Sequence, residues 1–353
     1  MKIIILAGGM GNRLWPVSKK SSPKHLLHFG DGESLLKRTV KRFVEKGFSD
    51  DLFIITNTEY ASQTKQHLRD FAPDLENRIL VEPLSRNTAP AAGWSIRHLL
   101  ITNKAKVSDE VLIVPCDHVF SNEDKLIEQI IGVKPDQLGD SILSFGISAT
   151  RPETGFGYIR ATEHDGPYFH VDSFIEKPNR LLAEKFAGND DWYWNTGIYL
   201  FKIKIFLEEI KQYEPALFHF MNVESHHEDY VYRSLTSISL DNAIMEKTNK
   251  LKMIKLRDVG WSDVGTWDSI YRLLDKDDNG NVKIGNILEK DTKNCLFLGN
   301  KKLISAIGIE DLVVIETDEV VFISKREQTQ KVKELIKDLH ELKSTESPLR
   351  RSS

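Results

Sequence analysis

The chain has 353 residues, 40% of them hydrophobic and 28% charged, and a net charge of −4. That composition is ordinary for a soluble globular protein of one large domain plus a smaller one, or two of medium size. The mild acidity argues against nucleic acid as the main partner, since a phosphate-backbone binder usually carries a basic excess. Two cysteines, Cys116 and Cys295, cannot build a disulfide framework and read as inert buried thiols. The apolar start Ile3-Ile4-Ile5-Leu6 ends in glycines rather than a cleavage site, and no stretch approaches the ~18 apolar residues of a membrane span, so the expected location is the cytoplasm.

The first predicted strand, Ile3–Leu6, runs into three glycines in four positions (Gly8, Gly9, Gly11), then Arg13, with Pro23-Lys24 further on. Glycines let the backbone turn sharply and present bare N–H groups to phosphate oxygens. Arg13 and Lys24 add fixed positive charge beside them, a combination suited to a polyphosphate. No Gly-Lys-Ser/Thr follows, which excludes a P-loop, and Gly9-Met10-Gly11 is followed by Asn12-Arg13-Leu14, which excludes the dinucleotide fingerprint. The pattern G-G-x-G-x-R-L-x-P, then P-K, resembles the N-terminal signature of the sugar nucleotidyltransferases.

Further strands are predicted at Leu52–Thr56, Ile79–Val81, Val111–Val114 and Ser141–Gly146. Helices are predicted between them at Ser34–Glu45, Thr58–Leu68 and Ala89–Thr102. Continuous apolar strands alternating with helices predict an α/β fold, a Rossmann-like mixed, mostly parallel sheet flanked by helices. Ligands of such sheets bind beyond the carboxyl ends of the strands, where the Gly8–Arg13 loop and the Pro115–His118 turn both lie. Asp277-Asp278-Asn279-Gly280 is a turn-rich break. Beyond it, Cys295–Leu298, Leu303–Ile307, Leu312–Glu316 and Val320–Ser324 predict a small β-helix-like module. Gln328–Leu342 follows as an amphipathic helix. The expected division is 1–275, 276–342 and a flexible tail at 343–353.

Joining a nucleotide to a sugar phosphate brings two anions together, so the protein must neutralise charge and align the groups. Mg²⁺ serves this with one or two carboxylates, and Asp117, just past a buried strand, and Asp263, between Gly260 and Gly265, are the candidate ligands. A capping aspartate in a turn is the plainer alternative for each. Lys177 can neutralise a sugar phosphate, and Glu176 can accept from sugar hydroxyls. Asn195, in Trp194-Asn195-Thr196-Gly197 ahead of a strand at Ile198–Phe201, suits a hydroxyl pair, and Gly157 lets the backbone close on a sugar ring. Asn87 or Thr88 would cap the helix that follows Glu82, and Glu82 could accept from guanine N1–H and N2–H₂.

Taken together, Gly8–Pro16, Pro23-Lys24, Glu82-Pro83, Arg86–Ala91, Pro115–Val119, Thr150–Ile159, Glu176–Pro178, Trp194–Gly197, Ile244–Thr248 and Gly260–Trp267 resemble, in order, the motifs of the mannose-1-phosphate guanylyltransferase family. The resemblance implies a nucleotide-diphospho-sugar transferase fold and a reaction of GTP with mannose 1-phosphate, assisted by Mg²⁺. It places Gly8, Gly9, Gly11 and Arg13 on the triphosphate, with Lys24; Leu6, Ala7, Glu82, Asn87 and Thr88 are further nucleotide-binding candidates. Gly157, Glu176, Lys177 and Asn195 fall on the sugar phosphate, and Asp117 and Asp263 on the metal. It also implies that the isomerase domain of many bacterial relatives is lacking. The chain departs from the family at His25-Leu26, where Gln-Phe is usual, and at Cys116, where Ala is usual. The alternatives are another sugar or nucleotide, a silent sugar-nucleotide-binding subunit, or a scaffold. A homodimer is one way to cover exposed β edges.

Overall fold

Ile3, Ile4 and Ile5 are fully buried, so the first strand is central and covered on both faces, each isoleucine contributing roughly 1.5–3 kcal/mol. The computed structural model describes residues 1–28, 32–133, 138–162 and 168–346. The chain forms two compact units: Met1–Gly8, Leu36–Cys116 and Phe120–Trp261 make the first, and Gly9–Leu35, Asp117–Val119 and Ser262–Ser353 the second.

In the first unit the strands are β1 (Lys2–Leu6), β2 (Leu52–Asn57), β3 (Ile79–Glu82) and β4 (Glu110–Pro115). A short β5 (His118–Phe120), mostly in the second unit, precedes β6 (Ile142–Ser148), β7 (Gly157–Thr162), β8 (Phe169–Glu176), β9 (Trp192–Lys202) and β10 (Leu251–Lys255) of the first unit, and β11 (Trp261–Asp263) again falls mostly in the second. The large sheet runs β3-β2-β1-β4-β9-β6-β10-β8-β7. From β3 to β4 every pairing is parallel, with Leu6 opposite both Ile55 and Pro115. β9 lies antiparallel to β4, β6 and β7, which makes the sheet mixed. Parallel neighbours need helical crossovers. Leu35–Val44, Ala61–Arg69 and Thr88–Ile101 supply them at the positions expected from sequence.

β9 is longer than the strand expected at Ile198–Phe201. The Trp-Asn-Thr-Gly segment is not a turn before the strand but a bulge within it, where the β6–β9 register shifts between Ser144 and Gly146. Gly197 has φ +67°, a left-handed geometry that glycine adopts without a Cβ clash.

In the second unit β12 (Val282–Ile284), β14 (Leu296–Leu298) and β16 (Leu312–Glu316) stack in parallel, as do β13 (Ile287–Lys290) and β15 (Ile304–Ile307). Two parallel stacks fed by successive coils give the β-helix-like module, closed by the antiparallel β17 (Val321–Lys325). The C-terminal helix spans Val332–Glu346 after a 3₁₀ turn at Arg326–Lys331, four residues later than expected. The tail expected at 343–353 lies outside the described residues from 347 onward. The core of this unit joins Leu14, Leu27, Val264 and Trp267 to Val282, Leu296, Val313 and Ile315. The N-terminal loop is therefore packed on the same apolar cluster as the β module, and the Trp267 indole N–H donates to the Trp15 carbonyl at 3.0 Å.

Candidate functional site

Lys24, Asp117 and Asp263, far apart in sequence, converge in the second unit. Lys24 sits on the 3₁₀ turn Lys24–Leu26 and is buried. Its Nζ donates to Asp117 Oδ2 at 2.6 Å and lies 3.6 Å from Asp263 Oδ1. The Val264 N–H donates to the Asp117 carbonyl at 3.3 Å, tying the two aspartate segments together. Burial alone would push the Asp117 carboxyl up, but the Lys24 ammonium, His118 and Arg13 outweigh it and hold the group well below the usual carboxylate range. Burial likewise works against the Lys24 ammonium, and the two aspartates overcome it and raise its pKa.

Two glycines make this arrangement possible. Gly11 has φ +75°, and a Cβ there would stand 2.5 Å from Lys24 Cβ. A Cβ on Gly265 would stand 2.6 Å from Asp263 Oδ2. Arg13, on the turn Asn12–Leu14, adds positive potential to Lys24 and Asp117 while making no hydrogen bond or ion pair with any described residue. Its five donors are available to an anion.

Donor atoms of Asp117, His118 and Asp263 lie within 4.8 Å of one another. A cation fits here, because a cationic ammonium already binds between the two carboxylates. Hard oxygen donors suit Mg²⁺.

In the first unit, Leu6 ends β1 and Ala7 follows it, its N–H donating to the Ile55 carbonyl at 2.8 Å. The Gly8 carbonyl accepts from Asn57 Nδ2 at 3.4 Å, and the same amide donates to Ser85 Oγ at 2.7 Å. Glu82 is buried beneath this group and accepts from the Ser85 hydroxyl at 3.4 Å and from the Tyr232 hydroxyl. Burial pushes the Glu82 carboxyl up to about 7, against the pull of its hydrogen bonds from Tyr232, the Arg86 backbone and Ser85. Asn87 caps the helix through Thr88 N at 2.9 Å, and the Thr88 hydroxyl accepts from Leu240 N at 2.7 Å. Both side chains therefore hold the backbone of the segment after Glu82. Gly9 is exposed, with open space where a Cβ would stand. Sequence reasoning missed Asn57, Ser85 and Tyr232.

The third group is also in the first unit. Glu176 ends β8 and accepts from the Lys177 ammonium, while its N–H donates to Glu246 Oε1 at 2.9 Å. A Cβ on Gly157 would stand 2.6 Å from Glu176 Oε2 and 3.3 Å from Asn195 Cβ, so a side chain there would displace the Glu176 carboxylate. Burial raises the Glu176 pKa, Asp241 adds to the rise, and the Lys177 contact opposes it. Asn195 is buried on the β9 bulge, beside Tyr199 and Asp241. Neither Tyr199 nor Asp241 stands out in the sequence. Tyr199 reads as one more apolar residue of a strand and Asp241 as an ordinary helix-start acid. Cys116 and Cys295 are both buried and not joined in a disulfide.

The sequence pattern of the Nucleotidyl transferase family matches residues 2–280, and that of the MannoseP isomerase/GMP-like beta-helix domain matches 285–339. Mannose-1-phosphate guanylyltransferase 2 of Escherichia coli O157:H7 is 34% identical, covering 97% of this chain and 74% of the relative. The chain belongs to the mannose-1-phosphate guanylyltransferase family of nucleotidyltransferases. Another relative of this chain is the alginate biosynthesis protein AlgA of Pseudomonas aeruginosa, 36% identical over 95% of this chain and 71% of its own length. Among solved structures, a Thermus thermophilus protein described as mannose-1-phosphate geranyltransferase superposes with a TM-score of 0.84. It is 25% identical and covers 96% of this chain and 99% of its own. A mannose-6-phosphate isomerase from Helicobacter pylori shares the fold at a TM-score of 0.58 and 24% identity, covering 74% of this chain and all of its own. Among the described residues no helix is long and apolar enough to cross a membrane.

Proposed function

We propose that this chain transfers GMP from GTP to α-D-mannose 1-phosphate, giving GDP-mannose and pyrophosphate, in the cytoplasm. A phosphate oxygen of the sugar phosphate attacks the α-phosphorus. The bond from that phosphorus to the oxygen bridging to the β-phosphate breaks, and pyrophosphate leaves with the electron pair. No covalent intermediate with the protein is needed. The supporting observation is the Lys24–Asp117–Asp263 cluster beside an unpartnered Arg13, a place for both a cation and a polyphosphate.

Mg²⁺, held by Asp117 and Asp263, would supply charge neutralisation on the phosphates. Arg13 and the N–H groups of Gly8, Gly9 and Gly11 bind the triphosphate, and Lys24 turns its ammonium toward the phosphate oxygens. Lys177 neutralises the sugar phosphate, and Glu176 receives sugar hydroxyls. Glu82, buried and bonded to Ser85 and Tyr232, acts on the nucleotide side, where it would accept from guanine N1–H and N2–H₂. The preference for mannose 1-phosphate and GTP is supported by the name of the Escherichia coli relative, mannose-1-phosphate guanylyltransferase 2.

Asp263→Ala tests the metal assignment. The variant is expected to melt within a few degrees of the unmodified protein and to lose on the order of 10²–10³-fold in turnover, the loss seen when one electrostatic stabiliser is removed. A folded variant with unchanged turnover would sink the assignment.

A further inference from the structure

The Asn195 side chain has no hydrogen-bonding capacity to spare. Its Nδ2 donates to Tyr199 Oη at 2.6 Å and to Asp241 Oδ1 at 2.9 Å. Its Oδ1 accepts from the Ser144 hydroxyl at 3.0 Å and from Gly197 N at 3.1 Å. An amide has two donors and two acceptor sites, and all four are committed. A sugar hydroxyl could bind Asn195 only by breaking one of these buried bonds.

The unused capacity lies one residue further along the network. Asp241 stands at the start of the turn Asp241–Met245 and is half-buried. Its Oδ1 receives both the Asn195 amide and the Tyr199 hydroxyl, the latter at 2.5 Å. Its Oδ2 accepts no hydrogen bond from any described residue. No lysine or arginine among the described residues pairs with Asp241, and the electrostatic neighbour it does have, Glu176, carries the same sign. Glu176 is in the same position: Oε1 takes Lys177, and Oε2 lies in the space that Gly157 leaves open. Two like-charged carboxylates, each fixed on one oxygen and open on the other, offer two acceptor sites that neutral hydrogen-bond donors can fill between or beside them. Adjacent ring hydroxyls of a hexose meet that requirement, as each donates one proton to one carboxylate oxygen.

We infer that Asp241 is a sugar-binding residue, its Oδ2 accepting a ring hydroxyl of the hexose 1-phosphate, and that Asn195 acts through it as a positioning residue. Asn195 lies at the β6–β9 register shift, where its amide bonds both the Ser144 hydroxyl of β6 and the Asp241 carboxylate. The inference rests on the proposed use of a hexose 1-phosphate by this chain.

Titration calorimetry with mannose 1-phosphate and its monodeoxy analogues tests it without relying on turnover. The unmodified protein should bind one deoxy analogue more weakly than the parent. Asp241→Asn should bind the parent about 10–100-fold more weakly, as expected for losing a hydrogen bond to a charged group. It should also bind the parent and that analogue alike. Asn195→Ala should bind more weakly yet keep the discrimination, because the contacting oxygen remains. A single cooperative thermal transition and unchanged GTP affinity show that each variant is folded. If Asp241→Asn keeps both affinity and discrimination, or if Asn195→Ala is the variant that abolishes discrimination, the inference is overturned. Should the unmodified protein bind no hexose 1-phosphate at all, the reading of its substrate fails along with it. Tight binding without pyrophosphate release would indict the proposed reaction alone.

Discussion

Replacing Lys24 by methionine removes the cation between Asp117 and Asp263 while keeping most of the side-chain volume. At the observed separations of 2.6 and 3.6 Å, the gross attractions are ~6 and ~5 kcal/mol at an effective dielectric of about 20. Desolvation offsets most of this. Breaking a buried pair costs ~3–5 kcal/mol, and the third of the Asp117 side chain that remains exposed lowers the expectation to ~2–3 kcal/mol. For a unit of this size the apparent melting temperature should fall by roughly 5–15 °C in a scan without divalent ions. The two carboxylates then face each other uncompensated, so millimolar Mg²⁺ should stabilise Lys24→Met by several degrees more than the unmodified protein, where the ammonium already fills part of that role. The assay is differential scanning fluorimetry at fixed pH across a Mg²⁺ series, with Ca²⁺ as a second hard cation. A variant that melts with the unmodified protein and responds no more strongly to metal would refute the electrostatic account of this cluster.

Glu82→Gln should flatten a pH dependence of stability. With a folded-state pKa near 7 and an unfolded value near 4.5, the folded chain keeps a proton that the unfolded chain loses, so stability falls as pH rises through this window, by ~3 kcal/mol in all. Urea unfolding at pH 5 and pH 8 should show that slope in the unmodified protein and not in the variant; equal slopes would contradict it. Gly11→Ala places a Cβ 2.5 Å from Lys24 Cβ at a positive φ and should cost ~2–3 kcal/mol and most of the turnover. Gly9→Ala, with open space at its Cβ, should cost less than ~0.5 kcal/mol. Thermal unfolding of the pair distinguishes backbone strain from a general intolerance of the loop.

The parts of the fold legible in the sequence are those written locally. β1 to β4 and their helices follow from apolar runs broken by turn residues, and their observed ends differ from expectation by a few residues at most. The antiparallel placement of β9 is not legible, because nothing local to Trp192–Lys202 states which strand it pairs with. Asn-Thr-Gly reads as a turn, and only the register of β6 reveals it as a bulge. β12 and β13 do not show in the sequence because each is short and carries exposed, polar positions, as in Lys283 and Lys290. At the candidate site, residue types can be read but partners cannot. Lys24, Asp117 and Asp263 stand out separately, and the fold joins them. The same limit hides Asp241 and Tyr199, whose importance lies in what touches them.

The most direct measurement is pyrophosphate release from a matrix of nucleoside triphosphates and sugar 1-phosphates, with Mg²⁺ and with EDTA. Release should depend on Mg²⁺ and be greatest for GTP with mannose 1-phosphate. Release that survives EDTA, or that favours another pair, or no release from any pair, would contradict the proposed function.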